Sequence, residues 1–260
     1  MRIVIKVGTS TLAHEGGRLN IRRVELLCKV LSDLKNAGNQ VVLVSSGAIG
    51  MGVGKLGLAG RPGDMPGKQA AAAVGQCELM YTYDKLFAEY HHTVAQILLT
   101  AEDIQDPRRS VHVHDTLERL LQWGALPIVN ENDAVAIDEI GIQTTIGEND
   151  SLSAVVSRLI GADLLVLLSD IDGLYTGDPK KDAAAKLIPV VEDITPEVLA
   201  LAGGAGSSLG SGGMATKLRA AQIVMEAGID MVIANGEHPQ ALYDLFDGKQ
   251  VGTRFVGKKG

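Results

Sequence analysis

Cysteine is nearly absent from this 260-residue sequence, which has only Cys28 and Cys77. Two thiols cannot build a disulfide framework, so the chain reads as the product of a reducing compartment. Aromatic residues are almost as scarce: one Trp, five Tyr and three Phe, too few for a base-stacking platform. Positive charge is in deficit, 24 Lys and Arg against 31 Asp and Glu, for a formal net charge of -7. That is the wrong sign for a nucleic-acid footprint. No apolar run approaches the roughly 20 residues of a membrane span. The opening MRIVIKVG reads as a strand, where a secretion signal needs a longer apolar core. A cytoplasmic protein without nucleic-acid or membrane partners is expected.

What the sequence does have is glycine, 31 residues clustered between aliphatic runs, a distribution suited to backbone that approaches a ligand closely. The runs at 3–5, 41–44, 94–99, 126–129, 164–168 and 231–234 are short and nearly continuous, as in strands buried on both faces. Between them lie helical stripes: Val24, Leu27, Leu31 and Leu34; Leu152, Val155, Val156 and Leu159; Met214, Leu218, Ala221 and Met225. The alternation predicts one α/β domain over 1–257, a mainly parallel sheet sandwiched between helices, with a frayed tail at 258–260. The stretch at 134–148 breaks the rhythm and reads as a hairpin or lid, and 203–213 as a glycine-rich loop entering a helix.

In open α/β sheets ligands bind beyond the carboxyl ends of the strands. Four such ends carry small, polar or charged groups: Lys6-Val7-Gly8-Thr9-Ser10, Ser45-Ser46-Gly47-Ala48-Ile49-Gly50, Asn130-Glu131-Asn132-Asp133 and Ser169-Asp170-Ile171-Asp172-Gly173. Lys6 alone reads as an edge-strand charge and Lys217 alone as a solvated helix residue. Together, at glycine-rich strand and helix ends, they suit a phosphoryl group in transfer, which needs charge neutralised more than covalent help. Asp133, Asp150 and Asp170 could orient these lysines, hold an amino group or reach Mg²⁺ through water. Asp150 or Asn149 could also cap a helix.

Other patterns point away from chemistry. Gly52-x-Gly54-x-x-Gly57 and Gly210-x-Gly212-x-x-Ala215 match dinucleotide fingerprints but not the strand-to-helix turn that fingerprint needs. His112-x-His114 places two imidazoles on different faces of a helix, and no serine has a nucleophile-elbow context.

The ordered set of motifs, with Gly147-Glu148-Asn149-Asp150, the stretch Ser169-Asp170 through Pro179 and Gly210-Ser211-Gly212-Gly213-Met214-x-Thr-Lys217, resembles the amino-acid kinase family. Within it the set is most similar to the branch that phosphorylates the side-chain carboxylate of L-glutamate with ATP and Mg²⁺, the first step toward proline. The resemblance implies Lys6, Lys217 and Asp150 as the catalytic group. It implies Ser46, Asp133, Asn149 and Asn130 at glutamate, and Lys6, Gly8, Ser169, Asp170, Ser211, Gly212, Gly213, Met214, Ala215, Thr216 and Lys217 at the nucleotide. It further implies proline as feedback inhibitor, a homo-oligomer, and glutamyl phosphate reductase as the enzyme next in line. Long forms carry a C-terminal RNA-binding-like domain, and this sequence reads as the short form. Glu148 replaces the family's Asp, and Gln143-Thr144-Thr145-Ile146 lacks an expected basic residue. The rivals are a sister kinase acting on another small acid or monophosphate, and a non-catalytic regulator on the same fold.

Overall fold

The six aliphatic runs become six strands of one sheet, and the three stripes become helices packed on its faces. The computed structural model describes residues 1–14, 18–135, 149–179, 181–182, 184–202 and 213–258. In chain order these form β1 (Arg2–Val7), α1 (Thr9–Leu12), α2 (Ile21–Asn36), β2 (Gln40–Ser45), α3 (Ala48–Leu56), α4 (Met65–Ala88), β3 (Val94–Leu99), α5 (Ala101–Gln105) and α6 (Pro107–Gln122). There follow β4 (Leu126–Glu131), α7 (Asn149–Leu159), β5 (Leu164–Ser169), β6 (Val190–Val191), α8 (Pro196–Leu201), α9 (Met214–Glu226), β7 (Asp230–Asn235), α10 (Ala241–Phe246) and β8 (Thr253–Phe255). The strand order is β3-β4-β2-β1-β5-β7-β8-β6, parallel throughout except for β7 against β8.

The period of two along each strand divides the apolar residues between two cores. Ile3 and Ile5 of β1 join Val24, Leu27 and Leu31 of α2, Leu79, Tyr83 and Phe87 of α4 and Leu242 of α10. Val4 joins the opposite core, with Leu117 and Leu121 of α6, Leu152 and Val156 of α7, and Leu218 and Val224 of α9. Lys6 therefore has the parity of Val4 and faces α7 and α9. Its register neighbours, Val44 of β2 and Leu167 of β5, lie in that same core.

Local signals set the helix ends. Asn20 accepts a hydrogen bond from Arg23 N (3.2 Å) to start α2, and Asp64 accepts one from Gly67 N (2.9 Å) to start α4, whose Pro66 needs no N–H there. Three expectations change. β6 and β8 were not foreseen, being two and three residues long. Lys258 is not the start of a frayed tail: its N–H donates to Met225 O (2.9 Å) and its ammonium pairs with Asp193 (3.2 Å). β1 is central, so Lys6 is not an edge-strand charge. The hairpin or lid expected at 134–148 and the loop at 203–213 fall largely outside the described residues.

Candidate active site

A cavity of about 1200 Å³ opens beyond the carboxyl ends of β1, β2, β4 and β5, where the strand order reverses: β1 leads to β2 on one side, and the connection from β4 returns to β5 on the other. Lys6, Gly8, Ser46, Asn130, Asp133, Asn149, Asp150, Ser169, Asp170 and Lys217 all line it. Ten residues predicted from four strand ends and two helix starts thus converge on one space.

Its centre is a carboxylate between two ammonium groups. Lys6 Nζ lies 2.6 Å from Asp150 Oδ1 and Lys217 Nζ lies 3.0 Å from Oδ2. The Thr216 hydroxyl stands 3.1 Å from Asp150 Oδ2 and 2.7 Å from Gly213 O. Asp150 is 1% exposed, Lys217 3% and Lys6 8%, so Lys217 is not a solvated helix residue. Burial by itself pushes the Asp150 carboxyl up. The charges of Lys6 and Lys217 and their hydrogen bonds outweigh it and hold the group below the ordinary carboxylate range. Two nearly buried ammonium groups thus converge on one carboxylate at the cavity, an arrangement suited to an anionic ligand.

Asn149 and Asp150 stand inside the first turn of α7. This turn brings both side chains to the cavity, so their cap reading gives way to a more direct role. On the other side, Ser46 follows β2, and Gly47 turns the chain with φ of +108°, a left-handed conformation that a side chain would strain. No side chain caps α3, and Gly47, Ala48 and Ile49 at its start line the cavity. Asn149 Nδ2 donates to Ser46 Oγ (2.6 Å) and to Asn130 Oδ1 (3.0 Å), binding the two sides together.

Beyond β5 Ser169 donates to Asp170 Oδ1 (3.0 Å). Gly213 precedes α9 with no side-chain cap, and Met214 and Ala215 make its first turn. Ser211 and Gly212, also assigned to the nucleotide, lie outside the described residues, as do Gly147, Glu148 and Gln143 to Ile146. His114 Nδ1 instead contacts Asp115 Oδ1 (3.1 Å) on α6. Gln76 of α4 was not foreseen: its Oε1 accepts from Asn130 Nδ2 (2.9 Å). Its only mark in the sequence is a lone amide after the run Ala70 to Gly75.

Residues 1–235 match the amino acid kinase family, and the chain belongs to that family of phosphotransferases. Among its relatives a glutamate 5-kinase from Clostridium perfringens (strain 13 / Type A) is 54% identical over 259 residues, covering 100% of this chain and 96% of its own. A glutamate 5-kinase from Listeria innocua is 52% identical over 258 residues, 99% of this chain and 94% of its own. The fold is also that of a carbamate kinase from Giardia lamblia bound to AMP-PNP, with a TM-score of 0.69 at 18% identity, covering 99% of this chain and 98% of that one. An isopentenyl phosphate kinase from T. acidophilum gives 0.66 at 18% identity, covering 98% and 100%.

Proposed function

We propose that this chain transfers the terminal phosphoryl group of ATP to the side-chain carboxylate of L-glutamate, giving glutamyl 5-phosphate and ADP, the reaction that opens proline synthesis. One observation carries the chemistry: Lys6 and Lys217 held by opposite oxygens of Asp150 in a cavity that Ser46, Asn149 and Asn130 also line. The names of the relatives support the choice of acid.

The acceptor carboxylate is already ionised near neutral pH, so no general base is needed. The work left is to align acceptor and phosphorus and to neutralise charge as the phosphoryl group passes. Asp150 keeps the two ammonium groups apart and fixed, so they need no reorganisation when charge shifts onto the oxygens between acceptor and donor. Ser46, Asn130 and Asn149 hold the acid, and the Asp133 carboxylate suits its ammonium group. Ser169, Asp170 and the segment from Ser211 to Lys217, with Gly8, hold the nucleotide. A space of this size, cationic at its centre, fits a nucleoside triphosphate. Magnesium, carried by the phosphates, supplies further charge neutralisation. Asp150 is engaged by both lysines, and Asp170 is one carboxylate of the cavity that could reach such an ion through water.

On the same reading the molecule is one domain, cytoplasmic and homo-oligomeric. Proline competes at or beside the glutamate site, and the labile acyl phosphate passes to glutamyl phosphate reductase. Cys28 and Cys77 are both free thiols, and no described helix is long and apolar enough to cross a membrane.

The test is ADP release from Mg·ATP with a panel of small acids and monophosphates, trapping acyl phosphate with hydroxylamine. Glutamate-dependent hydroxamate, lowered by proline, is the expected outcome. Turnover with a different acid moves the substrate and keeps the lysines. Silence across the panel replaces the enzyme with a ligand-binding regulator.

A further inference from the structure

Behind the acid side of the cavity three amides form a directed chain. Asn149 Nδ2 donates to Ser46 Oγ (2.6 Å) and to Asn130 Oδ1 (3.0 Å). Asn130 Oδ1 also accepts from Glu131 N (2.9 Å), while Asn130 Nδ2 donates to Gln76 Oε1 (2.9 Å). Asn130 is 1% exposed and Gln76 8%, so the link between them is a buried one.

An amide has one donor end and one acceptor end, and each link therefore fixes the next. The Glu131 N–H, which can only donate, and the Gln76 oxygen together turn the Asn130 nitrogen backward and its oxygen toward Asn149. Asn149 then commits both N–H groups, to Ser46 and to Asn130. Its Oδ1 is left buried and without a partner. Ser46, accepting from Asn149, keeps its own hydroxyl proton to donate. The cluster thus offers an incoming amino acid one acceptor, suited to an ammonium group, and one donor, suited to a carboxylate.

We infer that Gln76 is a positioning residue for acid binding: acting through Asn130, it sets which end of Asn149 faces the substrate. The inference rests on the proposed acid-binding role of Ser46, Asn130 and Asn149. Only the oxygen of Gln76 is needed, since its Nε2 is buried with no hydrogen-bond partner. The backbone holds it in place. A Cβ on the preceding residue, Gly75, would lie 1.8 Å from Ala48 O, and one on Gly52 would lie 1.8 Å from Ala71 O. The absence of both side chains lets α4 press against α3 and reach Asn130.

The experiment compares Gln76→Met, which keeps length and volume but removes the acceptor, with Gln76→Glu, which keeps an acceptor and removes the idle nitrogen. Loss of one buried hydrogen bond of this kind corresponds to about tenfold. In Gln76→Met the KM for glutamate is expected to rise about tenfold, with the KM for ATP moving less than about twofold. Gln76→Glu is expected to restore the glutamate KM to within about threefold of the unsubstituted enzyme. An unmoved glutamate KM in Gln76→Met, an equal rise in both KM values, or a Gln76→Glu enzyme as impaired as Gln76→Met would each overturn the inference. If Gln76→Met does not fold, Gln76→Leu takes its place as the variant without an acceptor, with the same expected rise in the glutamate KM. No turnover of glutamate by the unsubstituted protein would overturn the substrate reading together with this one, whereas turnover with an unmoved KM overturns this one alone.

Discussion

Asp150 is the residue on which two lysines from opposite ends of the sequence depend. Removing either ammonium should act mainly on the chemical step. Lys217→Ala is expected to lower kcat by about 10²- to 10³-fold, the usual loss for one preorganised charge-stabilising group, with Asp150 still paired to Lys6. Steady-state kinetics checks this, and unchanged turnover would remove Lys217 from the mechanism. Asp150→Asn is expected to cost about 3–5 kcal/mol of stability, because it strands two buried cations. The sign with pH follows from the depressed carboxyl. A group whose folded pKa lies below its unfolded value gives its full stabilisation above the ordinary carboxylate range, about pH 4, and loses it as pH falls through the folded value. Denaturant unfolding measured from pH 6 downward should show this acid loss in the native chain and a shallower one in Asp150→Asn. Equal slopes would show that Asp150 is not the group responsible. Both lysines could be read from the sequence because each stands out against glycine or aliphatic neighbours. Asp150 stood among three carboxylates able to orient them, and the family resemblance singled it out; its contact with both requires that β1, α7 and α9 pack around the same core.

At the scale of elements, the contact between α3 and α4 is set by what Gly52 and Gly75 lack. The Gly52-x-Gly54-x-x-Gly57 pattern is thereby explained without a dinucleotide: Gly52 admits α4, and Gly57 closes α3 with φ of +64°. Gly75→Ala would drive a methyl group into a backbone carbonyl and is expected to cost about 1–3 kcal/mol. It should also raise the KM for glutamate, since Ala48 lines the cavity. Thermal unfolding with kinetics checks both, and a neutral substitution would show that the helices separate freely. The long strands were legible because their aliphatic runs exceed what a helix stripe or loop supplies. β6 and β8 were not, because two- and three-residue strands carry no period and exist only through their pairing with neighbours. Gln76 was missed for a related reason. A polar residue within an alanine-rich helix gives no sign of whether it faces solvent or a buried amide.

For the whole molecule, the sheet ends at β3, whose outer edge has no strand paired to it among the described residues. Nearby α4 leaves Tyr81 64% exposed, and Trp123 after α6 is 74% exposed. An open edge of this kind is a ready template for a second chain, and light scattering is expected to give a dimer or larger species. Only monomer at working concentration would refute this. The central place of β1 has another consequence, one of timing. The strand made first by the ribosome is the one that both halves of the sheet must share. Arg2 hydrogen-bonds to Asp163, 161 residues later, so β5, one of the two strand partners of β1, does not yet exist when β2 is ready to pair with it. Contacts so distant in sequence form slowly. In refolding from denaturant, phosphoryl transfer should therefore return after most of the helical circular dichroism, because Lys6 waits in a half-built sheet for the segment that carries Lys217.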